Sequence, residues 1–273
     1  MDIRFWGVRG SVPVSGERFA RTGGNTSCVE LCHDGERLIL DGGTGLAQLG
    51  EALSAAPPVR ATLLFSHIHW DHIQGVPFFG PAYDPRTELQ ILGACRDGRG
   101  IRADLDAQMR PPHFPVGLDA MRAQLQWGSV TPGRTLQVGP FAIEAAELDH
   151  PNGILAFRIE AGGCTVVYAT DTEHGERLDP RLLALAQGAD LLIHDAQYTD
   201  EEYQGVTGPP RRGWGHSTWG QAVEAAQRAD VARLALFHHD PRRSDRDVAA
   251  IETAAVARHH GCQAAREGTR IAL

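Results

Sequence analysis

Three imidazoles and a carboxylate fall within six consecutive residues, His67-Ile68-His69-Trp70-Asp71-His72. Imidazole nitrogen and carboxylate oxygen are the donors that a borderline divalent cation such as zinc prefers. The cluster follows the apolar run Ala61-Thr62-Leu63-Leu64-Phe65, which reads as a buried strand, so it sits where a strand ends. Ligands at i and i+2 project together from an extended segment, and His67 and His69 can therefore share one ion. Asp71 and His72 point elsewhere, towards a second.

The elements that must position this chemistry show the same habit along the chain. Leu38-Ile39-Leu40 runs into Asp41, Phe141 to Leu148 into Asp149-His150, and Thr165-Val166-Val167-Tyr168 towards Asp171. Leu191-Leu192-Ile193 leads to His194-Asp195, and Leu234-Ala235-Leu236-Phe237 to His238-His239-Asp240. With the first cluster, titratable groups follow six strands, and they would gather at one edge of a sheet or sandwich. Helices alternate with these strands. Thr44 is placed to cap a helix carrying Leu46, Leu49 and Leu53, and Asp179-Pro180 opens another that Gly188 closes. Thr218 with Gln221 forms a capping box, and Ser244 starts a last helix with Gly261 at its end. Ile154 to Tyr168 reads as a hairpin turning at Ala161-Gly162-Gly163.

Length and composition are consistent with one α/β domain spanning 1–273, without linker or repeat. Between 81 and 133 the pattern weakens, and Arg110-Pro111-Pro112-His113-Phe114-Pro115 reads as a helix end and an extended loop; a lid or pocket wall is expected there. The formal charge is −8 and the pI about 5.9, which argues against a polynucleotide partner while leaving a small anionic ligand open. Every basic residue is arginine, and Arg9 and Arg211 are the ones singled out for substrate selection. Five scattered cysteines suggest no disulfide framework, and no apolar stretch approaches membrane-spanning length. With an amino terminus lacking the features of an export signal, the expected location is cytoplasmic.

The motif His67-Ile68-His69-Trp70-Asp71-His72 resembles the HxHxDH signature of the metallo-β-lactamase fold superfamily, and His150, Asp171 and His238 follow in the order that family uses. The resemblance covers nearly the whole chain. It implies an αββα four-layer sandwich of two similar halves with a two-metal site at its edge, in a hydrolase. Carried over residue by residue, His67, His69 and His150 hold one metal, Asp71, His72 and His238 the other, and Asp171 bridges them. Strand alternation does not choose between His238 and His239; the similarity favours His238. Zinc, manganese and iron all accept such a ligand set. Asp41 is read as a carboxylate that orients a ligand or loop.

A narrower likeness concerns Asp190 to Tyr198 and Gly215-His216-Ser217-Thr218, which resemble paired segments of ribonuclease Z and related phosphodiesterases. There a carboxylate orients a histidine that protonates the leaving oxygen. Here the pair is Asp195 and His216, with aspartate where ribonuclease Z has glutamate. Ribonuclease Z commonly inserts a tRNA-gripping arm between its third-motif histidine and bridging aspartate, whereas a single hairpin separates His150 from Asp171 here. The resemblance therefore implies a dinuclear phosphodiesterase that attacks a small diester, a cyclic nucleotide foremost, with hydroxide while His216 acts as general acid. A thioester or lactam hydrolase of glyoxalase II type and an RNA-processing nuclease of ribonuclease Z type are the alternatives. His113, in the lid-like segment, is marked as a substrate contact. Dimers are common in the resembled group, so a homodimer is within what it implies.

Overall fold

Alternate side chains of each strand face two different cores, and this alternation sets the layers. The computed structural model describes residues 1–273. Its strands in the first half are β1 (Asp2–Gly7), β2 (Cys28–His33), β3 (Glu36–Leu40), β4 (Arg60–Leu64), β5 (Glu88–Gly93), β6 (Cys95–Arg96), β7 (Arg99–Gly100) and β8 (Gln124–Ser129). The second half adds β9 (Leu136–Val138), β10 (Phe141–Leu148), β11 (Ile154–Ala161), β12 (Cys164–Ala169), β13 (Leu191–Asp195), β14 (Arg233–Phe237), β15 (Cys262–Ala264) and β16 (Arg270–Ala272). The α-helices are α1 (Gly45–Ser54), α2 (Trp70–Ile73), α3 (Ile101–Gln108), α4 (Pro180–Ala186), α5 (Asp200–Gln204), α6 (Trp219–Arg228) and α7 (Asp245–Arg258).

One seven-stranded sheet runs β16-β1-β2-β3-β4-β5-β8 and the other β15-β14-β13-β12-β11-β10-β9, while β6 and β7 form a small separate ribbon. The two sheets repeat one plan. Three antiparallel pairings, ending at β2–β3 in one and β11–β12 in the other, pass into three parallel ones. Between the sheets lie Leu38, Leu40 and Leu64 from the first and Phe157, Tyr168, Ile193 and Phe237 from the second. Each fully buried Leu, Ile or Phe there contributes roughly 1.5–3 kcal/mol. Their sequence neighbours Ile39 and Leu63 face the opposite way, against Leu46 and Leu49 of α1 and Leu105 of α3. Leu192, Leu234 and Leu236 likewise face α4, α6 and α7. The molecule is the expected αββα sandwich.

Three local expectations are corrected. The segment 81–133 is partly sheet, because β5 and β8 complete the first sheet through the register Leu89↔Leu125 and Ile91↔Trp127. What stands outside that sheet is the β6–β7 ribbon, α3 and the loop with His113. Thr44 does not cap α1: its hydroxyl accepts from the Thr26 amide at 2.9 Å and donates to Asn25 Oδ1 at 3.0 Å, tying the helix start sideways to the chain before β2. The last helix ends at Arg258, short of Gly261. The capping boxes at Thr218 with Gln221 and at Ser244 with Asp247 form as side-chain and backbone pairs.

Candidate metal centre

The strand ends do converge, and the backbone shows how. Asp41 follows β3 with φ +59°, Asp171 lies just beyond β12 with φ +46°, and His238 follows β14 with φ +58°. This left-handed conformation is uncommon for residues with a Cβ, and such strain gathers where a surrounding structure holds it for function. Here it turns Asp171 and His238 off the sheet edge into one cleft and Asp41 behind it.

Two groups of ligating atoms face each other there. Atoms of His67, His69 and His150 lie within 4.8 Å of one another, and so do those of Asp71, His72, Asp171 and His238. The Asp171 carboxylate stands between the groups. Its Oδ2 is 3.8 Å from both His67 Nε2 and His150 Nε2, and its Oδ1 is 3.2 Å from His72 Nε2 and 3.1 Å from His238 Nε2. Asp71 Oδ2, which accepts from the Ser11 amide at 2.7 Å, lies 3.1 Å from His238 Nε2. His239 points away, with Nε2 donating to the Ala265 carbonyl at 3.0 Å, so the structure brings His238 into the cluster and not its neighbour.

Outer partners set which nitrogen of each ring faces inward. Asp41 accepts from the Ser66 amide, the Ser66 and Tyr168 hydroxyls and His72 Nδ1, all at 2.7–2.8 Å, and is fully occupied. His72 therefore presents the lone pair of Nε2. His150 Nδ1 donates to the Gly215 carbonyl at 2.8 Å, and His67 Nδ1 reaches Ser66 Oγ at 3.1 Å. Such partners orient a ligating histidine and raise its basicity. Glu173, which the sequence did not mark, accepts from the Gly213 and Gly215 amides at 2.7 Å each and from the Tyr203 hydroxyl at 2.6 Å. It thereby fixes the loop that holds His150. Gly215 has φ +84°, and a Cβ there would stand 2.4 Å from His150 Nδ1. Ser66 adjoins the marked His67, and Tyr168 and Glu173 lie three and two residues from the marked Asp171, but no local pattern gives either of the last two its role.

The donor set fits two divalent cations. His67 Nε2 is buried in the cleft without any hydrogen-bond partner. Nε2 of His72 and Nε2 of His238 face each other at 3.4 Å, with two carboxylates beside them. Burial would raise the Asp71 and Asp171 carboxyls, but the surrounding imidazoles hold both well below the ordinary carboxylate range. Burial likewise disfavours charge on His72, yet Asp171, Asp71 and Asp41 push its pKa well above the usual value. The cleft thus draws positive charge, which a cation coordinated by these dense imidazole and carboxylate donors would supply.

Beside this cluster His216 Nδ1 donates to Asp195 Oδ2 at 2.8 Å. Its ring stacks on that of His238, with centroids 5.0 Å apart, and meets His150 edge-on at 5.3 Å. A cavity of about 470 Å³ opens along His67, His69, Arg96, Ile101 and Asn152. His113 is exposed and lines a different cavity, of about 550 Å³, with Trp70, Phe78 and Phe114. The structure does not bring it to the cluster.

A family model described as beta-lactamase superfamily domain matches residues 36–239, a span that takes in every residue of the cluster. A ribonuclease Z of Gemmatimonas aurantiaca is 29% identical over 318 aligned positions that cover 99% of this chain and 95% of that one. In three dimensions the fold is similar to Zn(2+)-bound PqqB of Methylobacterium extorquens, with a TM-score of 0.76, 17% identity and 100% of each chain covered. It is also similar to the short form of human tRNase Z, with a TM-score of 0.70, 20% identity, and 100% and 99% coverage. The two-sheet sandwich, the cluster at its edge and the match across it agree: this chain belongs to the beta-lactamase superfamily.

Proposed function

We propose that this protein is a dinuclear metal-dependent phosphodiesterase acting on a small diester, a cyclic nucleotide foremost, with His216 as the proton donor. The observation that carries this is the buried Asp195–His216 pair set against the cluster. A sugar alkoxide is a poor leaving group and gains from a positioned acid, whereas a thiolate needs none. Burial disfavours the imidazolium, but Asp195, with Asp171 and Asp71 beyond it, carries the His216 pKa up to about 9. Asp195 occupies Nδ1, so the proton to be given sits on Nε2. In this reading His67, His69 and His150 hold one cation, Asp71, His72 and His238 the other, and Asp171 touches both. Two bound cations, zinc foremost with manganese or iron also accepted, supply Lewis acidity that acidifies water and offsets phosphoryl charge.

Three features favour a small substrate over RNA. The net charge is −8, His150 and Asp171 are joined through β11 and β12 by the short turn Gly162-Gly163, and the alignment to the Gemmatimonas ribonuclease Z runs to 318 positions against 273 residues here. That relative thus carries segments this chain lacks. Its likeness over 99% of the chain nevertheless favours, as a second reading, an RNA-processing nuclease. All five cysteines are free thiols, in keeping with a reducing, cytoplasmic setting. The test is turnover by metal-loaded wild type and His216→Ala on 2′,3′- and 3′,5′-cyclic nucleotides, a 3′-extended tRNA precursor and a thioester. Hydrolysis of a cyclic nucleotide that falls ~10²–10⁴-fold in the variant at unchanged metal content supports the proposal. Cleavage of the RNA alone installs the second reading, and thioester turnover alone removes both.

A further inference from the structure

Beside His216 lies a loop whose half-buried Arg211 and exposed Trp214 the proposed reaction leaves unused. The stretch from Gly205, which caps α5, to Gly215 is pinned by Glu173 at Gly213 and Gly215. The Arg211 amide donates to the Tyr203 carbonyl at 3.2 Å, and the Trp214 amide to the Arg211 carbonyl at 3.1 Å. Arg211 and Trp214 are therefore presented on a fixed backbone. The Arg211 guanidinium lies over two rings, 5.4 Å from the centroid of Tyr198 and 4.8 Å from that of Trp214. Tyr198 in turn meets the His216 ring edge-on at 5.8 Å.

The charge on Arg211 is unspent. Arg212, Arg242 and Arg243 each pair with a carboxylate, Glu176, Asp240 and Glu202 in turn, whereas Arg211 forms no ion pair. Arg9, the other arginine singled out in the sequence, is fully buried and donates to the carbonyls of Gly23, Asp240 and Arg243. It has no access to a ligand. Trp214 is 54% exposed, so a ring face is open to solvent beside the cation.

A guanidinium stacked on aromatic rings keeps its planar N–H edge free, and that fork matches two adjacent acceptors. Among nucleobases guanine offers such a pair at O6 and N7, and an exposed indole adds a stacking face that takes any base. Resting on the phosphodiesterase reading, we infer that Arg211 and Trp214, backed by the buried Tyr198 ring, form the leaving-group subsite, with a nucleobase stacked on Trp214 and guanine preferred through Arg211. The base belongs to the leaving side because the sugar oxygen that departs is the one His216 protonates.

The test uses the metal-loaded protein and two products that it does not turn over as diesters, guanosine 3′-monophosphate and uridine 3′-monophosphate. Both carry the same phosphate to the cations, so the difference between them reports the base. Quenching of tryptophan fluorescence should show the guanosine compound binding ~10-fold or more tightly, within the discrimination a bidentate Arg–guanine contact provides. Arg211→Ala and Arg211→Lys should both abolish that preference, and Trp214→Phe should remove most of the fluorescence change. With 2′,3′-cyclic guanosine monophosphate as substrate, the Arg211→Ala loss should fall on KM and not on kcat. Equal binding of the two monophosphates by wild type, or a preference that survives Arg211→Ala, overturns the subsite. A preference that depends on Arg211 without turnover of any cyclic nucleotide upholds the subsite and removes the phosphodiesterase reading instead.

Discussion

Replacing Asp195 by asparagine separates proton donation by His216 from every other contribution to the reaction. His216 is only 8% exposed, and burial alone would lower its pKa; Asp195 at 2.8 Å, then Asp171 and Asp71, raise it to about 9. Cations at the cluster would offset Asp71 and Asp171, so in the metal-loaded protein Asp195 is the group that keeps the ring charged, and the pKa lies below its value without them. Asp195→Asn removes that charge while the burial stays, so the pKa should fall to the ordinary value of about 6.5 or lower. Each unit of that drop corresponds to about 1.4 kcal/mol of imidazolium stabilisation. Above the variant's pKa its protonated fraction falls tenfold per pH unit while that of wild type still holds, so each unit of separation between the two is a ~10-fold loss for an alkoxide leaving group. The fall of kcat/KM at high pH should move down, to about pH 6.5 or below in the variant. A nitrophenolate departs unaided, so bis(p-nitrophenyl) phosphate should lose only ~2–3-fold. The assay is kcat/KM from pH 6 to 10 for both substrates, with metal content measured on each preparation. Equal losses on the two substrates, or a high-pH limb that does not move, would refute His216 as the acid.

Other perturbations reach the parts of the site that do not donate protons. Glu173→Ala removes two hydrogen bonds from the loop that orients His150 and His216 and a third from Tyr203 of α5, and metal affinity measured against a competing chelator should fall ~10–100-fold; an unchanged affinity would show that the loop holds itself. Gly10→Ala would set a Cβ 2.4 Å from His238 Nδ1 and 2.6 Å from Gln197 Oε1, so elemental analysis should find about one ion per chain in the variant and about two in wild type. Two bound ions in that variant would place His238 outside the site. His174 and His239 are neutral when folded, burial chiefly carrying both down to about 3, whereas the unfolded chain protonates each near pH 6.5. Stability is therefore complete above that pH and is lost towards pH 3, at ~1.4 kcal/mol per pH unit for each histidine. His174→Gln keeps an acceptor for the Asp179 amide and should remove one of these two slopes in urea melts between pH 4 and 6, and an unaltered slope would contradict the assignment.

How far the sequence reached depended on whether a signal was local. The apolar runs Leu191-Leu192-Ile193 and Leu234-Ala235-Leu236-Phe237 are carried by adjacent residues, and the strands they mark are β13 and β14 of the structure. The strand that became β5 was hidden for the opposite reason. Glu88 and Gln90 interrupt its apolar face, and its partner β8 lies 30 residues on across a stretch with proline and glycine turns, so only pairing with β4 makes it a strand. Glu173 was invisible because its role exists only when Gly213 and Gly215 fold back over it, 40 and 42 residues later. The conformations of Asp41 and Asp171 lay deeper still. They follow corresponding strands of the two sheets, β3 and β12, at the points where each sheet passes from antiparallel to parallel pairing. Both adopt positive φ, yet Asp171 turns into the cleft while Asp41 turns behind it to hold His72. One repeated strand-end geometry thus supplies a carboxylate that faces the cations and another that aims a ligand at them. The same residue type at matching places does two jobs because the residues around it, Ser66 and Tyr168 on one side and the imidazoles on the other, differ.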